Sequence, residues 1–461
     1  MHIHILGICG TFMGGIAVIA RELGFKVTGC DQNVYPPMSI QLEAQGIELI
    51  SGYSPEQIAL QPDLYVIGNV VTRGNPLMEE ILNRNLPYVS GPQWLLENVL
   101  RKYWVLAIAG THGKTTTSSM LAWILEYAGL SPGFLIGGIP ENFGISARIG
   151  RLPRHNEDVA EISPFFVIEA DEYDTAFFDK RSKFVHYHPK TLILNNLEFD
   201  HADIFSDLAA IERQFHHLVR IVPNSGLIVC NGQDSNLKRV LEQGCWTPIE
   251  EFGIESGWHF QMQADNGVKI FLKNDYQDTL YWDLLGEHNS MNALAALLAA
   301  RHAGVPIPIG IEALMRFKNV KRRMEKRGTV NEISLYDDFA HHPTAIRTTL
   351  NGLRTHVGRE KRIIAVLEPR SNSMKMGVWK DELAESLNEA DKIFCFTGEA
   401  LWAKTILNNF GEKARCYDDL NELIEEICHF AKPNDSILVM SNGGFGGIHE
   451  KILSKLKSIA Q

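Results

Sequence analysis

The sequence predicts an α/β protein of three domains, each built on a mostly parallel sheet. Three observations carry that expectation. A chain of 461 residues is too long for one core at roughly 150 residues per domain. Three segments each open on a short apolar strand that runs into glycine-rich or helical sequence, the alternation that builds parallel sheets. A basic stretch at 318–327 then separates the second segment from the third. The predicted domains are 1–102, 103–321 and 322–461.

In the first segment, residues 2–6 read as a strand and 7–15 as a glycine loop entering a helix. Residues 26–30, 64–68 and 88–90 continue the alternation. The second segment begins with the continuous apolar run 103–108, suited to a strand buried on both faces. The helix after it places Met120, Leu121, Ile124, Leu125 and Ala128 on one face and stops at Gly129. Strands are expected at 165–168, 192–194 and 227–230. Alternating stretches between Trp258 and Trp282, around Asn266-Gly267 and Asn274-Asp275, read as hairpins at a sheet edge. A helix over 289–303 carries Met291, Leu294, Ala295 and Leu298 at helical spacing. The third segment alternates again, with strands near Leu335 and at 363–367, 393–396 and 437–440.

Composition narrows the function classes. With 45% apolar and 21% charged residues, the chain can bury cores, which argues against a disordered or fibrous protein. No run approaches the roughly 18 apolar residues of a membrane-spanning helix. The opening residues pass into a glycine loop without a basic region, so no signal peptide is expected and the cytoplasm is the expected location. A formal charge of −11 disfavours nucleic acid and anionic lipid as partners, while leaving room for anionic small ligands in local pockets. The seven cysteines are scattered and never spaced C-x-x-C, so reduced thiols are expected rather than disulfides or structural zinc.

The strongest motif is Gly110-Thr111-His112-Gly113-Lys114-Thr115-Thr116-Thr117, between the buried strand and the amphipathic helix. Glycines let backbone N–H groups converge on phosphate oxygens at a helix N-terminus, Lys114 supplies a point charge, and Thr115 supplies a hydroxyl for Mg²⁺. The general phosphate-loop pattern wants a glycine where Ile108 stands. Glu169 follows four apolar residues of a neighbouring strand, where a nucleotide-hydrolysing enzyme keeps a metal carboxylate. The polar cluster 195–203 follows the strand 192–194, and its His201 is a candidate ligand through neutral imidazole.

Other classes fit the motifs less well. A dinucleotide-dependent oxidoreductase would use the opening glycine loop with Asp31 as its ribose acid, but Gly7-x-Cys9 breaks G-x-G-x-x-G. A GTPase switch would share the phosphate loop, yet the sequence holds no Asn-Lys-x-Asp guanine motif. A non-catalytic nucleotide-binding module would not need Glu169 and His201 beside Lys114.

Taken together, these motifs resemble the Mur ligase family, ATP-dependent amide-forming enzymes of peptidoglycan synthesis, over essentially the whole chain. The 110–116 loop matches that family's own phosphate loop, which accounts for the glycine missing at 108. Glu169-Ala170-Asp171-Glu172 and Asn196-x-Glu198-x-Asp200-His201-x-Asp203 resemble its metal motifs. Glu287-His288-Asn289-x-x-Asn292-Ala293, Arg322-Arg323-Met324-Glu325 and Asp337-Asp338-Phe339-Ala340-His341-His342-Pro343 resemble its nucleotide-helix, inter-domain and C-terminal motifs.

The resemblance implies a Rossmann-like first domain, a P-loop-type central ATPase domain and a Rossmann-like C-terminal domain. It implies ATP as substrate, held by Gly110, Thr111, His112, Gly113, Lys114, Thr115 and Thr116. His288 and Asn292 would lie near the adenosine, Arg323 near the phosphates, and Asp338 beside them. Two Mg²⁺ ions are implied, one near Thr115 and Glu169 and one near His201, with Lys114, Glu169 and His201 catalytic. The helix 208–217 has no lysine, so no carbamoylated lysine is expected as a further ligand.

The opening motif and the His-His-Pro sequence point to the muramate-binding branch, with UDP-N-acetylmuramate held by Gly7, Gly10, Thr11, Gly14 and Asp31. Two activities compete there: addition of L-alanine, and attachment of the murein tripeptide L-alanyl-γ-D-glutamyl-meso-diaminopimelate. The stretch 368–374 and the insertion-like 150–155 favour the tripeptide, with Arg370, Ser371 and Asn372 as acceptor-binding residues. The glycine-rich 442–447 would let backbone approach the peptide, and it reads at least as well as a plain strand-to-helix turn. The implied reaction runs through an acyl phosphate, in a monomer or weak homodimer.

Overall fold

The computed structural model describes residues 1–34, 38–151, 164–263, 267–398, 400 and 402–459. Most of the insertion-like stretch 150–155 and Asn266 of the first expected hairpin turn lie outside the described residues.

Among the described residues, three large sheets follow the three sequence segments. In the first, His2–Leu6 sits between Lys26–Asp31 and Leu64–Ile67, with Glu48–Ser51 and Tyr88–Ser90 at the edges, all parallel. Glu48–Ser51 was not expected, because it carries only two apolar residues, although turns at Gly46 and Gly52 bracket it. The helix Thr11–Glu22 begins inside the stretch read as loop. Gly15 sits within this helix because it is a point of close approach. A Cβ there would fall 2.1 Å from Leu135 Cδ1, on the second sheet.

The second sheet has ten strands. Trp104–Ala109 lies between Phe165–Ala170 and Thr191–Leu194, all three parallel and almost wholly buried. That burial explains their unbroken apolar runs. Leu227–Asn231, Ile249–Phe252 and Trp258–Met262 extend the sheet one way. Val268–Leu272 and Asp275–Leu280 then add antiparallel strands at that edge, as the alternating pattern suggests. Gly133–Leu135 and Ala147–Arg148 close the other edge.

The third sheet runs Glu325–Val330, Ile333–Asp338, Ser436–Met440, Ile363–Leu367, Lys392–Phe396, Ala414–Tyr417, parallel except for the first strand. The basic stretch is therefore more than a separator: its last residues enter an antiparallel edge strand. An edge tolerates charge, and here the charge is paired, with Arg327 3.7 Å from Asp337.

The chain packs as two compact units. The first holds residues 1–198, 208–282 and 291–319, and so both of the first two sheets. The second holds 320–461 together with 199–207 and 283–290. No helix among the described residues is long and apolar enough to cross a membrane.

Candidate active site

In the first unit, three neighbouring strands end together, and their carboxyl ends carry the phosphate loop, Glu169 and Asn195. This is where parallel α/β sheets place ligands. The loop turns through Gly110 at φ +152° and Gly113 at φ +78°, and the helix Lys114–Tyr127 begins directly after it. A Cβ on Gly113 would lie 2.6 Å from Asn292 Oδ1 and 2.7 Å from Asn195 Nδ2, so only glycine fits.

Side chains from distant segments hold this backbone. Asn195 Nδ2 donates to His112 O at 3.1 Å and to Asn292 Oδ1 at 2.9 Å. Thr117 donates to the same Asn292 oxygen at 3.1 Å. Asn196 Oδ1 accepts from His112 N–H at 2.7 Å, and the His112 ring meets Glu198 Oε2 at 2.9 Å. Asn292 is buried beneath the loop, bracing it from below.

Lys114 Nζ donates to Gly110 O at 2.7 Å and to Glu172 Oε2 at 3.0 Å. Burial works against its charge, but Glu172, Asp171 and Glu169 outweigh that effect and raise its pKa, so it is a firm ammonium. Thr115 Oγ1 donates to Glu169 Oε1 at 3.0 Å, and Gly137 N–H donates to Glu169 Oε2 at 2.7 Å. A hydroxyl and a carboxylate facing one another are hard oxygen donors of the kind Mg²⁺ takes.

The opening glycine loop lies in the same unit. Gly7 N–H donates to Cys30 O at 2.8 Å, and Asp31 Oδ2 accepts from Cys9 N–H at 2.9 Å, tying the loop to the second strand. A groove of about 320 Å³ runs from Gly7, Gly10 and Thr11 to Glu169, Asp171 and Lys183. A second cavity of about 600 Å³ beside it is lined by Gly7, Gly10 and Asp31 with Tyr53 and Arg73. Gly14 lines neither. It faces Met38, whose Sδ a Cβ there would meet at 2.6 Å, so its small size serves helix packing.

The second unit holds the remaining candidates. His201 takes a left-handed backbone at φ +55°, with its N–H donating to Asp200 Oδ1 at 2.7 Å. Burial alone would raise the Asp200 pKa, but the imidazoles of His201, His342 and His341 and that hydrogen bond bring it below the ordinary value. Asn372 Nδ2 donates to Asp203 Oδ2 at 2.8 Å, while Ser371 Oγ accepts from Met374 N–H at 3.3 Å and caps the short helix Asn372–Lys375. Arg370 is exposed and packs over Gly443, where a Cβ would collide with its guanidinium at 2.2 Å.

His288 is held neutral. Burial first, and the charge of Arg323 second, push its pKa down to about 4, and its Nδ1 has no hydrogen-bond partner among the described residues. Asp338 is fully enclosed, and burial raises its pKa despite Arg323 and hydrogen bonds from Met324 N–H, Ala340 N–H and Thr349. The Arg323 guanidinium lies 5.0 Å from the Phe339 ring centre.

The structure thus brings Gly110–Thr116, Glu169 and Asn292 together with the opening glycine loop in one unit. His201, His288, Arg323, Asp338 and Arg370–Asn372 belong to the other. Sequence reasoning placed Glu172 in a metal-like motif and Asn195 in the polar cluster after the strand Thr191–Leu194, without giving either its own role, and it passed over Gly137 and Lys183. Gly137 and Lys183 carry no local pattern.

Three family models match the chain: the "Mur ligase family, catalytic domain" over residues 2–103, the "Mur ligase middle domain" over 108–300, and the "Mur ligase, glutamate ligase domain" over 322–443. A UDP-N-acetylmuramate–L-alanyl-γ-D-glutamyl-meso-2,6-diaminoheptandioate ligase of Escherichia coli (strain K12) is 55% identical over 465 residues, covering 100% of this chain and 99% of its own. The crystal structure of a murein peptide ligase from Psychrobacter arcticus 273-4 superposes with a TM-score of 0.78 at 45% identity, over 99% of this chain and 98% of that one. A UDP-N-acetylmuramate–L-alanine ligase of Persephonella marina is also similar along its length, covering 99% of this chain and 97% of its own, but at 31% identity. The chain belongs to the Mur ligase family.

Proposed function

We propose that this protein joins UDP-N-acetylmuramate to L-alanyl-γ-D-glutamyl-meso-diaminopimelate through an amide bond, at the expense of ATP, as its 55%-identical relative is named for doing. The observation that carries the chemistry is the groove that joins the opening glycine loop to the carboxylate bonded to the phosphate loop. The opening glycine loop with its helix N-terminus lies at one end, and Glu169, joined to Thr115 of the phosphate loop, at the other.

In this reading the lactyl carboxylate of the sugar nucleotide attacks the γ-phosphate of ATP, giving an acyl phosphate and ADP. The tripeptide amine then attacks the acyl carbon and phosphate leaves. Nucleophile and phosphate are both anionic, so the protein's task is to hold like charges together. Lys114 supplies fixed positive charge for the phosphates, and the 110–113 backbone supplies N–H donors. Asn195 and Asn292 keep that backbone in shape.

Thr115 and Glu169 would hold a Mg²⁺ ion, which when bound screens the charge of the transferring phosphoryl group. His201 is proposed for a second ion. His288, being neutral, would meet the adenosine by hydrogen bonding and not by charge, with Arg323 and Asp338 close to the nucleotide. Gly7, Gly10, Thr11 and Asp31 are proposed for the UDP moiety, and Arg370 for an acceptor carboxylate. A cytoplasmic location and a monomer or weak homodimer complete the proposal.

The L-alanine-adding alternative is less well supported, since relatives named for that activity stand at about half the identity of those named for the tripeptide. The test is a matched assay with ATP, magnesium, UDP-N-acetylmuramate and either amine. Amide product and ADP should form with the tripeptide and not with L-alanine. Turnover with alanine alone would reject the tripeptide assignment.

A further inference from the structure

Lys183 is a buried cation with spare hydrogen-bonding capacity in the groove. It opens the short 3₁₀ turn Lys183–His186, directly after the hairpin strand Asp179–Ser182, and its N–H donates to Tyr173 O at 2.8 Å. That bond fixes where its side chain starts. Its Nζ lies 5.6 Å from the Phe12 ring centre and 5.5 Å from the Tyr173 ring centre. Its side chain is 10% exposed, and among the described residues Nζ makes one hydrogen bond, to Asp171 Oδ2 at 3.3 Å. An ammonium has three N–H donors, so two remain beyond the Asp171 bond for a ligand in the groove. The groove that Lys183 lines also carries Thr11 and Phe12 on one wall and Glu169 on the other.

We propose that Lys183 binds the lactyl carboxylate of the sugar nucleotide and holds this nucleophile beside Glu169. The inference rests on the sugar nucleotide being the substrate, and it names the group that orients the attacking oxygen. The glycine loop and the N-terminus of the helix Thr11–Glu22 already suit the diphosphate. The remaining anion of such a ligand is the carboxylate, which must end next to Thr115 and Glu169 to reach the phosphoryl group. Lys183 lies two residues from neither motif in sequence, yet Asp171, its partner, is two residues after Glu169. The Phe12 ring places the ammonium against the same loop that would hold the diphosphate, so one ligand can engage both. Cation–ring contacts keep the charge in place without using its N–H donors.

The test needs no turnover. Binding of UDP-N-acetylmuramate and of UDP-N-acetylglucosamine, which lacks the lactyl carboxylate, is measured by calorimetry on the full chain. The wild-type protein should prefer the muramate. Lys183→Gln should weaken muramate binding at least ~10-fold, the scale of a charge-assisted hydrogen bond, and leave the glucosamine within ~2-fold. Lys183→Arg should keep most of the preference. If the Gln variant fails to fold, Lys183→Met, which keeps much of the apolar stem, carries the same test. An unchanged preference, or equal weakening of both ligands, would overturn the assignment. A wild-type protein that binds neither ligand would instead reject the sugar-nucleotide reading itself.

Discussion

Lys114 and Glu172 form a buried ion pair whose two halves have different duties. In the proposed reading the ammonium is the group offered to phosphate, and the carboxylate, 2% exposed, keeps it charged and aimed. Removing only the lysine takes the cation away from a buried carboxylate, and breaking a buried ion pair from one side costs about 3–5 kcal/mol. Lys114→Ala should therefore lose turnover by ~10³-fold or more and also melt at lower temperature. Adding Glu172→Gln should return much of the melting temperature and none of the activity. Rates and thermal melts of the two variants check this, and activity regained in the double variant would reject the phosphate role of Lys114. A second residue reports on pH. His4 in the first strand is fully buried, its Nδ1 2.8 Å from Thr28 Oγ1 and its Nε2 3.1 Å from Gln57 Oε1, a pattern complete with a neutral ring. Burial pushes its pKa down to about 4 from 6.5, a further small lowering coming from His2, against a raising effect of Gln57. The unfolded chain thus takes up a proton near pH 6.5 that the folded chain refuses until about pH 4. Stability falls as pH drops through that window and is untouched above it, by about 3 kcal/mol in all for this residue. Urea unfolding at pH 7 and at pH 4.5 should show a smaller acid loss in His4→Gln than in the wild-type protein.

At the scale of elements, the phosphate loop shows what can and cannot be read from sequence. A continuous apolar run, then glycines, Lys114 and an amphipathic helix lie within 25 residues of one another, so local pattern alone located the strand Trp104–Ala109 and the helix Lys114–Tyr127. The parts that shape the loop are remote. Asn195 and Asn292 stand 97 residues apart and meet only when the sheet and the helix Glu287–His302 have packed. No local spacing encodes that pairing. The strand Glu325–Val330 was hidden for a different reason, since its charges read as a solvated linker until Arg327 finds Asp337 across the sheet. The roles proposed for the site residues likewise came from motif resemblance more than from spacing. The loop also gives a sharp expectation. Gly113→Ala places a methyl group 2.6 Å from Asn292 Oδ1 in a left-handed backbone, a strain worth about 1–3 kcal/mol. ATP affinity should drop ~10-fold or more while far-UV circular dichroism stays unchanged. Tight nucleotide binding by that variant would show that the loop tolerates another shape.

For the whole molecule, the division into units does not follow chain order. Residues 199–207 lie between the strand Thr191–Leu194 and the helix Leu208–Val219, both of the first unit, yet they pack with the second. The cause is a set of polar bonds. Ser373 Oγ donates to Asp200 Oδ1 at 3.1 Å and accepts from Ala202 N–H at 3.4 Å, gripping the residues on both sides of His201. Asn372 adds its bond to Asp203, and Trp379 packs 5.9 Å from Phe199. His201 sits in a left-handed backbone that a non-glycine residue keeps only when its surroundings enforce it. A hydroxyl more than 170 residues away is thus part of what holds the proposed metal-binding histidine in its conformation. Ser373→Ala removes both of its bonds with little change in volume, leaving Asp200 to bond His201 N–H alone. Hydrogen exchange over 199–207 should speed up severalfold in this variant, while the helix Leu208–Val219, next in the chain, keeps its protection. Faster exchange spreading evenly through that helix would mean general loosening, and unchanged exchange at 199–207 would mean the loop holds its own shape. The selective result would show that the helix Asn372–Lys375 and the His201 loop behave as one body, so that whatever orders the first also sets the backbone of the second.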